Sequence, residues 1–569
     1  MSSCSSYLQM CRAHSTLGSV HSDSAIRLFK AMKAPHRTIE TLRTGVKLTL
    51  TKGKKIKKVV DNNKSALNNF DTVNNKLKEW LEAGHISVIP EHKARYISPL
   101  SCSMKYDPVK RCMKKRICFD SSRFKGRFVF PGSKLPELRY ARTFIHPYDE
   151  LAVCDFSNFY FHFQLHEESK PLVCVKWNLD GGPAVVLQFN VLIYGLQPAT
   201  AEVGLVTRVI TDYLRRKFNI IVLVYIDDSL CIFRSSPYQN LLAFKKVVAV
   251  FIAVGFVINF SKVSFPKTKQ KVLGLWLDTE EMKIRPVRSK DHELIHLYEG
   301  FTGVVPLTEI AKIVGKCMAL ELAIRIPVRL YFPKMFKCLA QFIDPEDDSS
   351  WDQLLQVPQC LRDEFGRFLR EYPYYQGAPL HDPLPHRSFS SEMLPTIPDT
   401  KLFASDAGAD FAILMNVNKT QDIEIKKFDV TQKQYSSSHR ELLALQMILR
   451  PGVVEDNQVI SFLTDSRTVE TWMRTGTSNA AVADTLLDIY KELDKRNITL
   501  VVAWRPRNSP AISLVDRSQR LSSDDFGLDF KDLSWLYTIL KGRRFVCDVF
   551  AHPLCNICLL YTSPSPRDS

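Results

Sequence analysis

Several stretches of the chain carry apolar residues in short runs that end on a single acid or an acid pair. In "IVLVYIDDSLCIF", Ile221 to Phe233, β-branched and aromatic residues flank Asp227 and Asp228, which predicts two short strands meeting at the acids. "LAVCDFSNFYFHFQLH", Leu151 to His166, predicts another apolar strand that delivers Asp155, with Phe156, Phe159, Tyr160 and Phe161 close behind. Farther on, "KLFASDAGADFAILMN" brings Asp406 on a strand, and "SSSHRELLALQMIL" reads as a helix with Glu441 in its first turns. "VISFLTDSRTVETWM" places Asp465 at a strand end, and "LVVAWRPRNSPAISLVDRSQR" sets Asp516 before a basic run. Between Ser289 and Tyr375 the pattern is mainly helical, as in "VPLTEIAKIVGKCMALELAIRI". Gly377 to Thr400 is rich in Pro and Ser and reads as a linker. There are no internal repeats.

Composition narrows what these acids do. The 569 residues suggest three or four domains, and 45% hydrophobic content is ample for their cores. Lys and Arg total 77 against 60 Asp and Glu, a net +17 that suits a polyanion partner or an acidic membrane surface. The first residues lack an apolar signal core, and the longest apolar run, Val247 to Ile258, is too short to span a bilayer. The 14 scattered cysteines then read as reduced core residues, and the expected location is intracellular, in cytoplasm or nucleus, with no membrane partner.

Two adjacent like charges at a buried junction repel. An Asp pair there is either a hairpin turn, which Asp tolerates, or part of a divalent-metal site, because hard cations take carboxylate oxygens. Asp155 supplies the third acid. Two ions about 4 Å apart on such a set would clamp the attacking and leaving oxygens of an in-line phosphoryl transfer.

In this order, from about Leu77 to Arg520, the stretches resemble the reverse transcriptases of retroelements. "YIDD" resembles their metal-binding hairpin, and "CDFSNFYFHFQL" the preceding strand. The resemblance implies an α+β right-hand polymerase of fingers, palm and thumb, followed by an α/β RNase H-like domain. It puts Tyr160 at the sugar gate, where an aromatic ring would collide with a ribose 2′-hydroxyl; the other reading is a plain core tyrosine. "YGLQPATAEV", Tyr194 to Val203, resembles the template and nascent-pair stretch, with Tyr194 and Gly195 against the base pair. Thr200 stands there where Pro is usual, and Val203 where Phe is usual. "SPLSCSMKYDPVKRCMKKRICFDSSR" resembles the fingers hairpin, whose Lys105 and Arg116 would hold the incoming triphosphate, Arg through its planar fork. "GFVINFSKVSF" and "KVLGLWLD" resemble later palm strands, with Lys262 near the leaving pyrophosphate.

Asp406, Glu441, Asp465 and Asp516 resemble the DEDD set of RNase H, although "AWRPRNSPAI" lacks the His many of those enzymes carry upstream of the fourth acid. The implied cofactor is Mg²⁺, two per active site, with Mn²⁺ as a substitute. The implied partners are RNA template, DNA primer, RNA–DNA hybrid and deoxynucleoside triphosphates.

The resulting partition is a basic, poorly structured arm over 1–66, fingers and palm over 67–288, and a helical thumb or connection over 289–376. A linker over 377–400, an RNase H-like domain over 401–525 and an extension over 526–557 follow. "NFYFHFQLH", "YIDDSL" and "AKIVGKCMAL" look most like DIRS-type elements, with gypsy-type elements the close alternative, and imply a piece of a longer polyprotein. The expected function is RNA-directed DNA synthesis with RNase H activity; the alternative is a decayed or co-opted nucleic-acid-binding remnant. Cys547, His552, Cys555 and Cys558 have zinc-like spacing. "CLLYTSPSPRDS", 558–569, also resembles a translated sequencing adapter, in which case Cys558 is not native and the zinc set is incomplete.

Overall fold

The computed structural model describes residues 19–521, apart from 52, 54–55, 108–111, 130–137, 345–347, 381–400 and 420–421. The chain divides into two compact units, Met1–Lys283 and Ile284–Ser569.

The first unit opens with helices Asp23–Ala31 and His36–Thr44, the former capped by the Ser22 hydroxyl, which accepts from the Ala25 amide. This corrects the reading of 1–66 as a poorly structured arm over its described part. Ile26, Phe29, Ile39 and Leu42 recur at helical spacing and are buried in the main core. The exposed Arg27, Lys30, Arg37 and Arg43 interleave with them, so the stretch is basic in composition yet amphipathic in period. His21 fastens this segment, its Nδ1 donating to the Leu42 carbonyl and its Nε2 accepting from the Gln164 amide, both at 2.9 Å.

Eleven strands follow in this unit: β1 (Ile86–Ile89), β2 (Leu100–Asp107), β3 (Cys112–Phe119), β4 (Glu150–Asp155), β5 (Cys174–Asn178), β6 (Ala184–Phe189), β7 (Ile221–Tyr225), β8 (Asp228–Phe233), β9 (Ser264–Lys267), β10 (Lys269–Val272) and β11 (Leu275–Asp278). β2 and β3 form a long antiparallel hairpin from Leu100↔Phe119 to Asp107↔Cys112. β1, β6 and β5 make a small antiparallel sheet. The sheet that matters most has the order β7–β8–β4–β9. Helix Ala199–Phe218 packs on β7, and helix Pro237–Ala253 on β4, β8 and β9. The short apolar runs read from the sequence are buried on both faces in β4 and β8, with Leu151, Cys154, Val222 and Cys231 in the core, which leaves the strand ends to carry acids.

In the second unit, β12 (Lys283–Pro286), the β13–β14 pair (Val304–Pro306 with Leu354–Gln356) and β15 (Ala378–Pro379) accompany helices Arg288–Gly300, Leu307–Met318, Pro333–Phe342 and Gln359–Glu371. The buried Glu364 carboxylate caps Pro333–Phe342 by accepting from the amides of Lys334 at 2.8 Å and Met335 at 3.0 Å. Residues 381–400 of the expected linker lie outside the described residues.

Then come β16 (Lys401–Ala407), β17 (Phe411–Asn416), β18 (Ile423–Lys427), β19 (Val459–Thr464) and β20 (Thr499–Trp504), in the order β18–β17–β16–β19–β20. β17 is antiparallel to both neighbours, whereas β16, β19 and β20 run parallel. Helices Ser437–Gln446, Arg467–Thr475, Ala480–Lys495 and Pro510–Leu521 complete this part. Among the described residues, no helix is long and apolar enough to cross a membrane.

Candidate active sites

β4 and β8 pair so that Asp155 lies directly opposite Asp228, while Tyr225 on β7 is the other partner of Asp228. Asp227 occupies the turn between β7 and β8, and its carbonyl accepts from the Phe156 amide at 3.0 Å. The register thus gathers all three acids at one sheet end. The turn is held in an uncommon conformation. Ile226 has φ 55°, which a β-branched residue rarely adopts.

The electrostatics are those of crowded negative charge. Burial first, and then the Asp227 and Asp155 charges, push the Asp228 carboxyl from its usual 3.8 up to about 6. Lys262 opposes that rise. Its Nζ donates to both oxygens of Asp155, at 2.9 and 3.0 Å. Asn259 also holds this acid, its amide donating to the Asp155 carbonyl at 2.8 Å and its Nδ2 to Oδ2 at 3.2 Å. Sequence reasoning singled out Lys262 but missed Asn259, three residues before it.

The remaining expected residues fall around these acids or on the hairpin. Tyr160 is 4% exposed, its hydroxyl 2.8 Å from Thr200 Oγ1 and its ring edge-on to Tyr194 at 4.8 Å. The Tyr194 phenol is pushed up by burial, then by Asp227, while Arg116 pulls it down. Arg116 is exposed on β3, opposite Ser103. Lys105 sits on β2 opposite Lys114, and its side chain lies outside the described ones. Gly195 has φ 89°, and a Cβ there would collide with the Phe119 carbonyl. Only glycine allows that close passage. The Tyr194 carbonyl accepts from the Phe119 amide at 2.9 Å, and Ser121 Oγ donates to the Gly195 carbonyl at 2.6 Å.

A second acidic cluster lies in the other unit. Asp406 near the end of β16, Glu441 on helix Ser437–Gln446 and Asp465 just past β19 place carboxylate oxygens within 4.8 Å of one another. Asp516, on helix Pro510–Leu521, is outside that tight group but near enough to push Asp406 up, after burial and Asp465. Glu441 rises well above the usual carboxylate range, chiefly through burial and then through Asp406 and Asp465. Its Oε1 accepts from the Ala407 amide at 3.0 Å, while Oε2 is buried without a donor. Two contacts were not anticipated. Arg507 Nε donates to Asp465 Oδ2 at 2.7 Å, and the Gln519 amide, turned with its nitrogen toward Asp406, donates to Oδ2 at 2.5 Å. The basic character of "RPRN" was visible, but not which acid it meets. Cys547, His552, Cys555 and Cys558 lie outside the described residues.

Residues 90–277 match the family model described as reverse transcriptase (RNA-dependent DNA polymerase). This segment is a reverse transcriptase domain. It contains the Asp155, Asp227 and Asp228 cluster, and with the fingers hairpin and central sheet it has the right-hand polymerase fold expected from the sequence. Among solved structures, the chain is similar to a foamy viral protease–reverse transcriptase dRH in complex with double-stranded DNA. Identity is 12%, covering 84% of this chain and 81% of that one, with TM-score 0.45. It is also similar to a foamy viral protease–reverse transcriptase in complex with RNA/DNA hybrid, at 11% identity over 86% of this chain and 63% of that one, TM-score 0.45. No curated protein matches.

Both clusters fit a hard divalent cation. Their donors are carboxylate oxygens, and in the reverse transcriptase domain the raised Asp228 marks uncompensated negative charge. In the second cluster the raised Glu441, buried beside Asp406 and Asp465, marks the same crowding of carboxylates.

Proposed function

We propose that the chain is an RNA-directed DNA polymerase with a separate RNase H activity. The observation that carries this reading is the register that sets Asp155 against Asp228, with Asp227 at the adjoining turn, inside a reverse transcriptase domain. Asp155, Asp227 and Asp228 would hold Mg²⁺, or Mn²⁺ in its place, two ions per site. When bound, such ions stabilise charge on the attacking and leaving oxygens of a phosphoryl transfer.

The protein's own groups do the rest. Asn259 and the β4–β8 pairing orient Asp155. Lys262, whose Nζ lies on Asp155, would supply a proton to the departing pyrophosphate. Arg116 and Lys105, on the fingers hairpin, would hold the triphosphate, and Gly195, by letting the Phe119 backbone pass, would shape the turn that faces the nascent base pair. Tyr160 would exclude a ribose 2′-hydroxyl. Asp406, Glu441, Asp465 and Asp516 would hold the ions for hydrolysis of the RNA strand of a hybrid. The partners are then RNA template, DNA primer, RNA–DNA hybrid and deoxynucleoside triphosphates.

Reciprocal assays test both halves on the full chain. Asp227→Asn should abolish primer extension on RNA and spare hybrid cleavage, and Asp465→Asn should do the reverse. An Asp227→Asn protein that extends as fast as the parent sinks the polymerase assignment. Undiminished cleavage by Asp465→Asn sinks the RNase H assignment.

A further inference from the structure

Among the described residues, the Tyr160 hydroxyl has one hydrogen-bond partner. It lies 2.8 Å from Oγ1 of Thr200, in the first turn of helix Ala199–Phe218. The ring is 4% exposed and is braced edge-on by Tyr194 at 4.8 Å and by Phe159 at 5.7 Å. These contacts brace the ring, and the hydroxyl bond ties its far end to the helix. Tyr160 and Thr200 together line a small pocket with Val203, Gly204, Val224 and Ile226. Without the hydroxyl bond the buried phenol loses its partner, and the ring's angle rests on its contacts with Tyr194 and Phe159. Burial, followed by Asp227 and Tyr225, pushes the phenol up, so it stays protonated and able to donate. Position 200 is also where the resembling sequences carry Pro, which offers no hydroxyl.

We propose that Thr200 is a specificity-positioning residue: its hydroxyl pins the Tyr160 ring at the angle that excludes a ribose 2′-hydroxyl. The inference rests on the reading of Tyr160 as the sugar gate. It adds that the gate in this chain is held by a side-chain hydrogen bond from the helix that follows the Gly195 turn. Tyr160 alone supplies the steric bulk, and Thr200 supplies the angle. The bond therefore matters for choosing between nucleotides more than for turning them over.

The test is single-turnover incorporation of matched deoxynucleotides and ribonucleotides by the full chain on an RNA template with a DNA primer. Thr200→Val, nearly isosteric, should reduce deoxynucleotide preference roughly 3- to 10-fold, the range expected for one lost hydrogen bond, and leave the maximal deoxynucleotide rate near the parent's. Thr200→Ser should restore the preference. Tyr160→Phe should reproduce the Thr200→Val loss, and the double variant should lose no more than either single, because both remove the same bond. Tyr160→Ala should relax selectivity further. If Tyr160→Ala relaxes selectivity while Thr200→Val and Tyr160→Phe keep the parental ratio, the gate stands and the Thr200 inference is overturned. If Tyr160→Ala keeps the parental ratio, the gate reading itself fails and the inference with it. A Thr200→Val protein that loses rate for both nucleotides at an unchanged ratio also overturns it, since the bond would then be merely structural. Should Thr200→Val not fold, Tyr160→Phe interrogates the same bond from the other side.

Discussion

Replacing Asp228 with Asn should make the metal-free protein more stable while removing polymerase activity. Asp228 is raised from 3.8 to about 6 by burial and by Asp227 and Asp155. A carboxyl whose folded value lies above its unfolded one is bound more tightly to its proton in the fold. Its stability contribution is intact below pH 3.8 and is lost as pH rises from there to about 6. At 1.36 kcal/mol per pH unit the full span is about 3 kcal/mol, and solvent screening at this part-exposed group reduces it to about 1–2 kcal/mol. Asn keeps the shape and drops the charge, so the variant should gain about 1–2 kcal/mol at pH 7.5 in EDTA, and visibly less at pH 5. Urea unfolding should be read by hydrogen exchange of the β4 and β8 amides, so that the transition followed belongs to this sheet and not to the second unit. Excess Mg²⁺ should close the gap by stabilising the parent alone, by about 1.4 kcal/mol at ten times its dissociation constant. A variant less stable than the parent at pH 7.5, or a gap that does not shrink at pH 5, would refute the crowding argument.

Two further outcomes follow from titratable groups held by specific partners. His162 is buried, its Nδ1 donating to the Phe159 carbonyl and its Nε2 accepting from the Val257 amide, and burial pushes it from 6.5 down to about 4. A depressed histidine contributes stability above its unfolded value and loses it as pH falls, here by about 3 kcal/mol between pH 6.5 and 4, so a His162→Gln protein should show a flatter acid limb in urea midpoints over that window. Arg507→Gln should strengthen Mn²⁺ binding at the second cluster about 2- to 5-fold in calorimetric titrations made in an Asp228→Asn background, because the exposed arginine competes for Asp465 at a cost in the range of a surface ion pair.

The strands, the acids at their ends and the order of the two acidic sets were legible because short continuous apolar runs mark strands buried along their length and leave the strand ends for polar work. Asp155, Asp228, Asp406 and Glu441 sit on elements of the expected type, and Asp227 and Asp465 lie just past the ends of expected strands. The N-terminal helices were hidden for the opposite reason. Arg27, Lys30, Arg37 and Arg43 dominate the composition there, although Ile26, Phe29, Ile39 and Leu42 keep a helical period. Composition reports what faces water as well as what is buried, and over a nine-residue helix it drowns a period of two or three apolar positions.

Pairing across sequence distance was the part that local pattern could not supply. Each cluster concentrates negative charge, and in each a basic side chain from a later segment holds one acid: Lys262 on Asp155, 107 residues away, and Arg507 on Asp465, 42 residues away. The two differ in how firmly they hold. Lys262 reaches both oxygens of Asp155 and is joined there by Asn259, whereas Arg507 is 76% exposed and reaches one oxygen. A cation entering the first cluster must displace a two-point contact, while one entering the second displaces a solvent-screened single contact. On counter-charge alone the second cluster, with Asp516 as a fourth acid, should therefore fill at lower Mg²⁺. The order of filling follows from which counter-charge must leave, a property of contacts made only after the chain has folded.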